Sequence, residues 1–145
     1  MDAEMGTIIA AMLGEVGINC RLNILEFSAY LNKFYDGDYD GLTLIAYGDD
    51  FSDAMYGMNE YRTENASPRF NYSSAYYDEL YLKALVNMDP VSRAAQLVEM
   101  QKIIFNDEKV QNPFIHLKVP YGVSDRINFT SRITEDFHAE EITLK

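Results

Sequence analysis

The sequence predicts an α/β fold, a small mixed sheet flanked by helices. Three observations predict it. Over the first fifty residues, helical and alternating apolar patterns take turns. The run Leu42 to Tyr47 is continuously apolar, as in a strand covered on both faces. The second half opens its helical patterns on strong start signals, above all Asp89-Pro90.

Asp2 to Val16 reads as a helix, because Met5, Ile8, Ile9, Met12, Leu13 and Val16 recur at helical spacing and Gly17 stops it. Ile18 to Phe27 then alternates. Ile18, Cys20, Leu22 and Ile24 share one face, with Asn19, Arg21 and Asn23 opposite, the pattern of a half-buried strand. Ser28 is a suitable N-cap for a short helix carrying Leu31, Phe34 and Tyr35. An Asp- and Gly-rich turn leads into Leu42 to Tyr47. Helix, strand, helix, strand implies a layer with a right-handed crossover, its sheet covered by helices Met5 to Val16 and Val91 to Phe105.

Gly48 to Ser73 is polar, aromatic and irregular, with a short helix expected over Phe51 to Tyr61. Ser74 caps a helix with Tyr77, Leu80, Ala84 and Leu85 inward. Asp89-Pro90 opens another, carrying Val91, Ala94, Leu97, Val98, Gln101, Ile104 and Phe105. Asn112-Pro113 breaks the chain. Phe114 to Val119 reads as a strand, and weak strand character returns around Phe137 and over Ile142 to Leu144.

The 145 residues suffice for one domain with its own core. Net charge is −11, which repels phosphate backbones and argues against nucleic acid as a partner. No apolar run reaches membrane-spanning length. No basic start precedes an apolar core, so no signal-peptide pattern is present, and a trimmed piece of an exported protein remains open. One cysteine rules out an internal disulfide and cysteine-rich zinc sites. Cys20 is expected to be a buried, inert thiol. His116 and His138 have no local motif that ties them to a nucleophile or an acid, so no catalytic residue is assigned.

Asp36-x-Asp38-x-Asp40-Gly41 has the opening spacing of a calcium loop, but the reading fails. The twelfth position, which needs a bidentate glutamate, is Tyr47, and Leu42 to Ala46 form a strand-like run. A solvated helix-to-strand turn is expected, with no metal and no cofactor. Of the eleven tyrosines, Tyr77 and Tyr81 are expected to pack the core. Tyr47 stands where ligands gather in open α/β sheets, at the C-terminal end of a strand.

The stretch IIAAMLGEVGINCRLNILEFSAYLNKFYDGDYDGLTLIAYGDDFSDA resembles part of the extracellular solute-binding proteins of oligopeptide and dipeptide ABC importers. The likeness lies in the order of Gly17-Ile18, Phe27 to Phe34, Gly37 to Asp40, Leu42 to Tyr47 and Asp49 to Ala54. It continues through NYSSAYYDELYLKAL, DPVSRAAQLVEMQKIIFND and NPFIHLKVPYGV, and is least in the last twenty residues. The family often has tryptophan where Tyr47 stands and proline where Ala54 stands.

The resemblance implies a partial lobe of the periplasmic-binding-protein-like type II fold. Residues 1–145 would be the C-terminal part of the second lobe of a two-lobed protein, with Met1 added and the N-terminal lobe missing. It implies an extracytoplasmic binding component of an importer, not an enzyme, with a peptide ligand and membrane permease subunits as partners. Tyr47, Gly48, Asp49 and Asp50 would face the ligand, and the residue aligned with Asp50 pairs with the peptide's free α-amino group. A closed-in ammonium needs such a fixed counter-charge. Three other expectations stand beside this one: a non-peptide ligand such as an oligosaccharide or metal chelate, a carboxylate-dependent hydrolase, and a structural interaction domain.

Overall fold

The computed structural model describes residues 2–46, 48, 53–132 and 137–145. In chain order these form α1 (Asp2–Glu15), α2 (Phe27–Asp36), α3 (Ala54–Met58), α4 (Thr63–Phe70), α5 (Ala75–Val86) and α6 (Pro90–Lys102), then β1 (Ile127–Asn128) and β2 (Thr143–Leu144). The chain is thus mixed but mostly helical, and its sheet has two strands. It divides into two compact units, one of residues 1–47 and 61–75, the other of residues 48–60 and 76–145.

The first unit is organised around Phe34, which is fully buried. Rings of Tyr30, Tyr35, Tyr39 and Phe70 stand 5.5–6.3 Å from it, two stacked and two edge-on. These are favourable aromatic geometries, worth about 0.5–1.5 kcal/mol per pair beyond burial. Tyr61 stacks on Phe70 at 5.8 Å and is itself buried. Burial disfavours its phenolate and pushes its pKa up to about 12.

The Asp-Gly turn at the end of α2 has a specific local cause. Gly37 is left-handed at φ 67°, its N–H donates to Phe34 O at 3.3 Å, and the N–H of Asp38 donates to Lys33 O at 2.9 Å. This is the paired closure of a glycine-terminated helix. The Asp38 carboxylate turns to the Lys33 ammonium. At its other end α2 is capped by Glu26, whose carboxylate accepts from the N–H groups of Ser28 (2.9 Å) and Ala29 (3.2 Å). The cap lies two residues ahead of the expected Ser28.

The second unit buries Tyr77, Leu80, Tyr81 and Ala84 of α5, Met55 and Met58 of α3, Met100 of α6 and Ile104 just beyond it. The Tyr77 hydroxyl, fully buried, donates to Met58 O at 2.8 Å. α6 begins as its sequence dictates. Pro90 occupies the first turn, and Asp89 accepts from Ser92 N–H at 2.8 Å. It ends in a π turn over Ile103–Asp107, closed by Glu108 N–H to Ile103 O at 2.8 Å. β1 and β2 pair antiparallel, Ile127 with Leu144 and Asn128 with Thr143. Tyr121, Phe129 and Phe137 cluster with ring centres 5.6–5.9 Å apart.

The strand expectations need correction. Residues 18–26, 42–46 and 114–119 are without regular secondary structure, and among the described residues the ladder β1–β2 is the one formed. Apolar alternation specifies a face. A strand also needs a neighbour for its N–H and C=O groups, and none stands beside these segments among the described residues. Leu42 is 83% and Ile24 68% exposed, so neither is covered as expected, and helices Met5 to Val16 and Val91 to Phe105 cover no sheet formed by these segments. Cys20 is exposed, not buried. Residues 63–70 form α4 in place of the expected irregular segment.

Candidate functional site

The segment leading to the expected site is steadied from α2. The Tyr30 hydroxyl lies 2.9 Å from Leu44 O, to which it donates, and 3.0 Å from Thr43 Oγ1. Thr43, Leu44 and Ile45 are half-buried, and Ala46 is exposed. Of the four expected site residues, Gly48 is described, as an exposed position where an added methyl would meet no atom within 4 Å. Tyr47, Asp49 and Asp50 lie outside the described residues.

On the far side of this acidic stretch the chain is pinned. Asp53 is the N-cap of α3 and accepts from Met55 N–H at 3.0 Å. Both of its carboxylate oxygens also face Arg93 Nη2, at 3.0 and 2.9 Å. Arg93 uses a second donor, Nε, on Ala84 O at 3.2 Å. That carbonyl belongs to the last turn of α5, where carbonyls lack helical partners. One guanidinium therefore ties the start of α3, the end of α5 and the first turn of α6.

The Met55 N–H, above all, holds the Asp53 carboxyl below the usual aspartate range; burial opposes it, and the Arg93 guanidinium adds to the lowering. The pair was not assigned from the sequence, being 40 positions apart. A signal was nonetheless present. A cation in the first turn of a helix opposes the helix dipole, and such a residue calls for an acidic partner.

The other chemical candidates stay apart. His116 is exposed, and His138 Nδ1 is 3.3 Å from Glu140 Oε1, two residues away. Among the described residues no three His, Cys, Asp or Glu side chains gather as a metal would require. Asp36 and Asp40 are exposed, and Asp38 is engaged by Lys33. Tyr77 and Tyr81 are core residues as expected, while Tyr56 and Tyr76 are about half exposed. Tyr76 donates to the Glu99 carboxylate, which raises its pKa by stabilising the phenol. An open depression of about 450 Å³ lies beside the β1–β2 pair, lined by Asp125, Asn128, Phe129 and Lys145 among others. No helix among the described residues is long and apolar enough to cross a membrane.

Set against protein families, characterised proteins and solved structures, the chain matches no family model, no characterised protein and no solved structure.

Proposed function

We propose that this chain is part of the solute-binding component of an ABC importer for peptides. On this reading it contributes one wall of a ligand cleft, in a partial lobe of the periplasmic-binding-protein type II kind. Tyr47, Gly48, Asp49 and Asp50 line that wall, and Asp50 takes the ammonium of the peptide. The protein works outside the cytoplasmic membrane and hands its ligand to the permease without chemistry on it.

The observation that carries the reading is the order of motifs along the chain, from Gly17-Ile18 through Gly37 to Asp40 to the acidic stretch that follows Leu42 to Tyr47. One feature supports it. Asp53, three residues after Asp50, caps α3 and is ion-paired with Arg93, so the acidic stretch ends on a fixed point.

The test is Asp50→Asn in the two-lobed protein to which this reading assigns the chain. The change keeps side-chain shape and removes the counter-charge. Losing one partner of a closed, hydrogen-bonded charge pair costs about 2–5 kcal/mol. That is a roughly thirtyfold to several-thousandfold loss in affinity by calorimetry. Acetylating the peptide amino terminus gives a similar loss in wild type and little more in the variant. Equal binding of free and acetylated peptide to wild type refutes the amino-anchor role.

A further inference from the structure

We propose that the depression beside the β1–β2 pair binds a free α-amino acid with an apolar side chain. The site uses none of residues 47–50, so the inference is independent of the peptide reading. What carries it is a pair of opposite charges that share one depression and bond to nothing. Asp125 and Lys145 both line it, and its volume of about 450 Å³ falls within the range of small-ligand pockets. Among the described residues neither the Asp125 carboxylate nor the Lys145 ammonium has a hydrogen-bond or ion-pair partner, and they do not pair with each other.

The backbone holds the two residues close. Ile127 N–H donates to Ser124 O and Arg126 N–H to Ser124 Oγ, each at 3.3 Å, so Asp125 sits in a turn fixed by Ser124. On the other strand, Lys145 N–H donates to Arg126 O at 2.9 Å, which extends the pairing of Ile127 with Leu144 by one residue. The Cα atoms of Asp125 and Lys145 are therefore no more than about 10 Å apart. At that spacing a lysine side chain can reach a carboxylate, yet the two stay apart. An α-amino acid carries an ammonium and a carboxylate on one carbon. It offers the complement of both groups at once, its ammonium to Asp125 and its carboxylate to Lys145. A simple ion matches one of them and is repelled by the other.

The remaining lining suits the rest of such a molecule. Asn128 Nδ2 donates to Thr143 Oγ1 at 3.1 Å, which leaves its amide oxygen, with the Thr130 hydroxyl, to accept from the ligand ammonium. Val123, Ile127 and Phe129 offer apolar surface to the ligand side chain. Phe129 is steadied by its stack on Phe137 at 5.7 Å and by Tyr121 at 5.6 Å. The depression is open, so its charges act in a high dielectric, and millimolar affinity is expected.

The test adds L-leucine to the 145-residue chain, up to about 50 mM, and follows backbone amides by NMR. Amides of residues 123–130 and of Lys145 shift together and saturate. Isoamylamine, which lacks the carboxylate, and isocaproate, which lacks the ammonium, bind at least about tenfold more weakly. Asp125→Asn and Lys145→Gln each weaken L-leucine binding at least about fivefold. Both positions are exposed, and unchanged amides at the buried Met100 and Ile104 verify that the fold is kept. The absence of a saturable shift overturns the proposal. Equal binding of L-leucine and either analogue also overturns it, by reducing the site to a single surface charge. That comparison is made on wild type, so it decides the question even where a variant folds poorly. Variants that bind as wild type does overturn the assignment of Asp125 and Lys145. Glycine binding as tightly as L-leucine overturns the role of the apolar wall.

Discussion

Gly37 sits where α2 and α4 come closest, and replacing it with alanine should separate them. At φ 67° the residue is left-handed, a conformation that costs an alanine roughly 1–2 kcal/mol. The added Cβ would also stand 1.8 Å from Pro68 O and 3.0 Å from Pro68 C, and the first distance is far below any tolerated contact. Both neighbours are backbone atoms, so no rotamer change relieves the clash. The helices must part by more than about 1 Å.

What parting loosens is known in detail. Phe34 and Phe70 pack edge-on at 5.8 Å, the Arg69 guanidinium lies 4.4 Å from the centre of the Tyr35 ring, and the Tyr39 hydroxyl donates to Arg69 O. With the backbone strain, losing these contacts amounts to roughly 3–6 kcal/mol. Gly41 supplies the control. It is also left-handed, at φ 81°, but a Cβ there meets nothing within 4 Å, so Gly41→Ala should show the strain alone, about 1–2 kcal/mol. Denaturant unfolding followed by near-UV circular dichroism suits the comparison, because the chain has eleven tyrosines and no tryptophan. Equal destabilisation by the two substitutions would refute the close approach of α2 to Pro68.

Tyr77→Phe should cost about 1–2 kcal/mol in denaturant unfolding, since it removes a buried donor and leaves Met58 O unmatched; an unchanged midpoint would show that the hydrogen bond at 2.8 Å is not maintained. The lowered pKa of Asp53 makes its contribution fully present above the ordinary aspartate range (about 4), and lost as pH falls through its folded value, because the unfolded chain then binds the extra proton. Asp53→Asn should therefore flatten the acid limb of stability, and identical acid limbs in both proteins would count against the pairing. Calcium titration should leave the melting temperature where it is, as Asp38 faces Lys33 and Asp36 and Asp40 lie exposed without a gathered ligand set. A saturable rise of several degrees would reverse that view.

What the sequence disclosed was the locally encoded part of the fold. α1 runs Asp2–Glu15 against the expected Asp2 to Val16, α5 starts directly after Ser74, and α6 takes Asp89 and Pro90 in the expected roles. Each of these rests on spacing and caps within a few residues. α4 escaped notice because Pro68 lies inside it and its apolar content is low, so neither propensity nor pattern announced it. The strand over 18–27 was read from alternation and that over 42–47 from a continuous apolar run, but neither pattern says which chain segment supplies the neighbouring ladder. The buried residue is Met100 and not Val98, which stands on the opposite side of α6; both are apolar, and packing chose between them. At the candidate site, Asp53 lay within the stretch Asp49 to Ala54 with no role of its own assigned. Its partner lay forty residues away, and contacts at that range are a product of the fold.

The exposed side chains of Ile18, Ile24, Phe27 and Leu42 also govern how this protein behaves as a solute. Mutual repulsion between copies carrying eleven excess negative charges opposes their association. Added salt shortens the range of that repulsion to about 10 Å at 0.1 M and less beyond. Acidification toward the isoelectric point near 4.4 removes it altogether. Colloidal stability and folding stability thus decline over neighbouring ranges of pH, for unrelated reasons, and turbidity on acidification reports the first before any helix has melted.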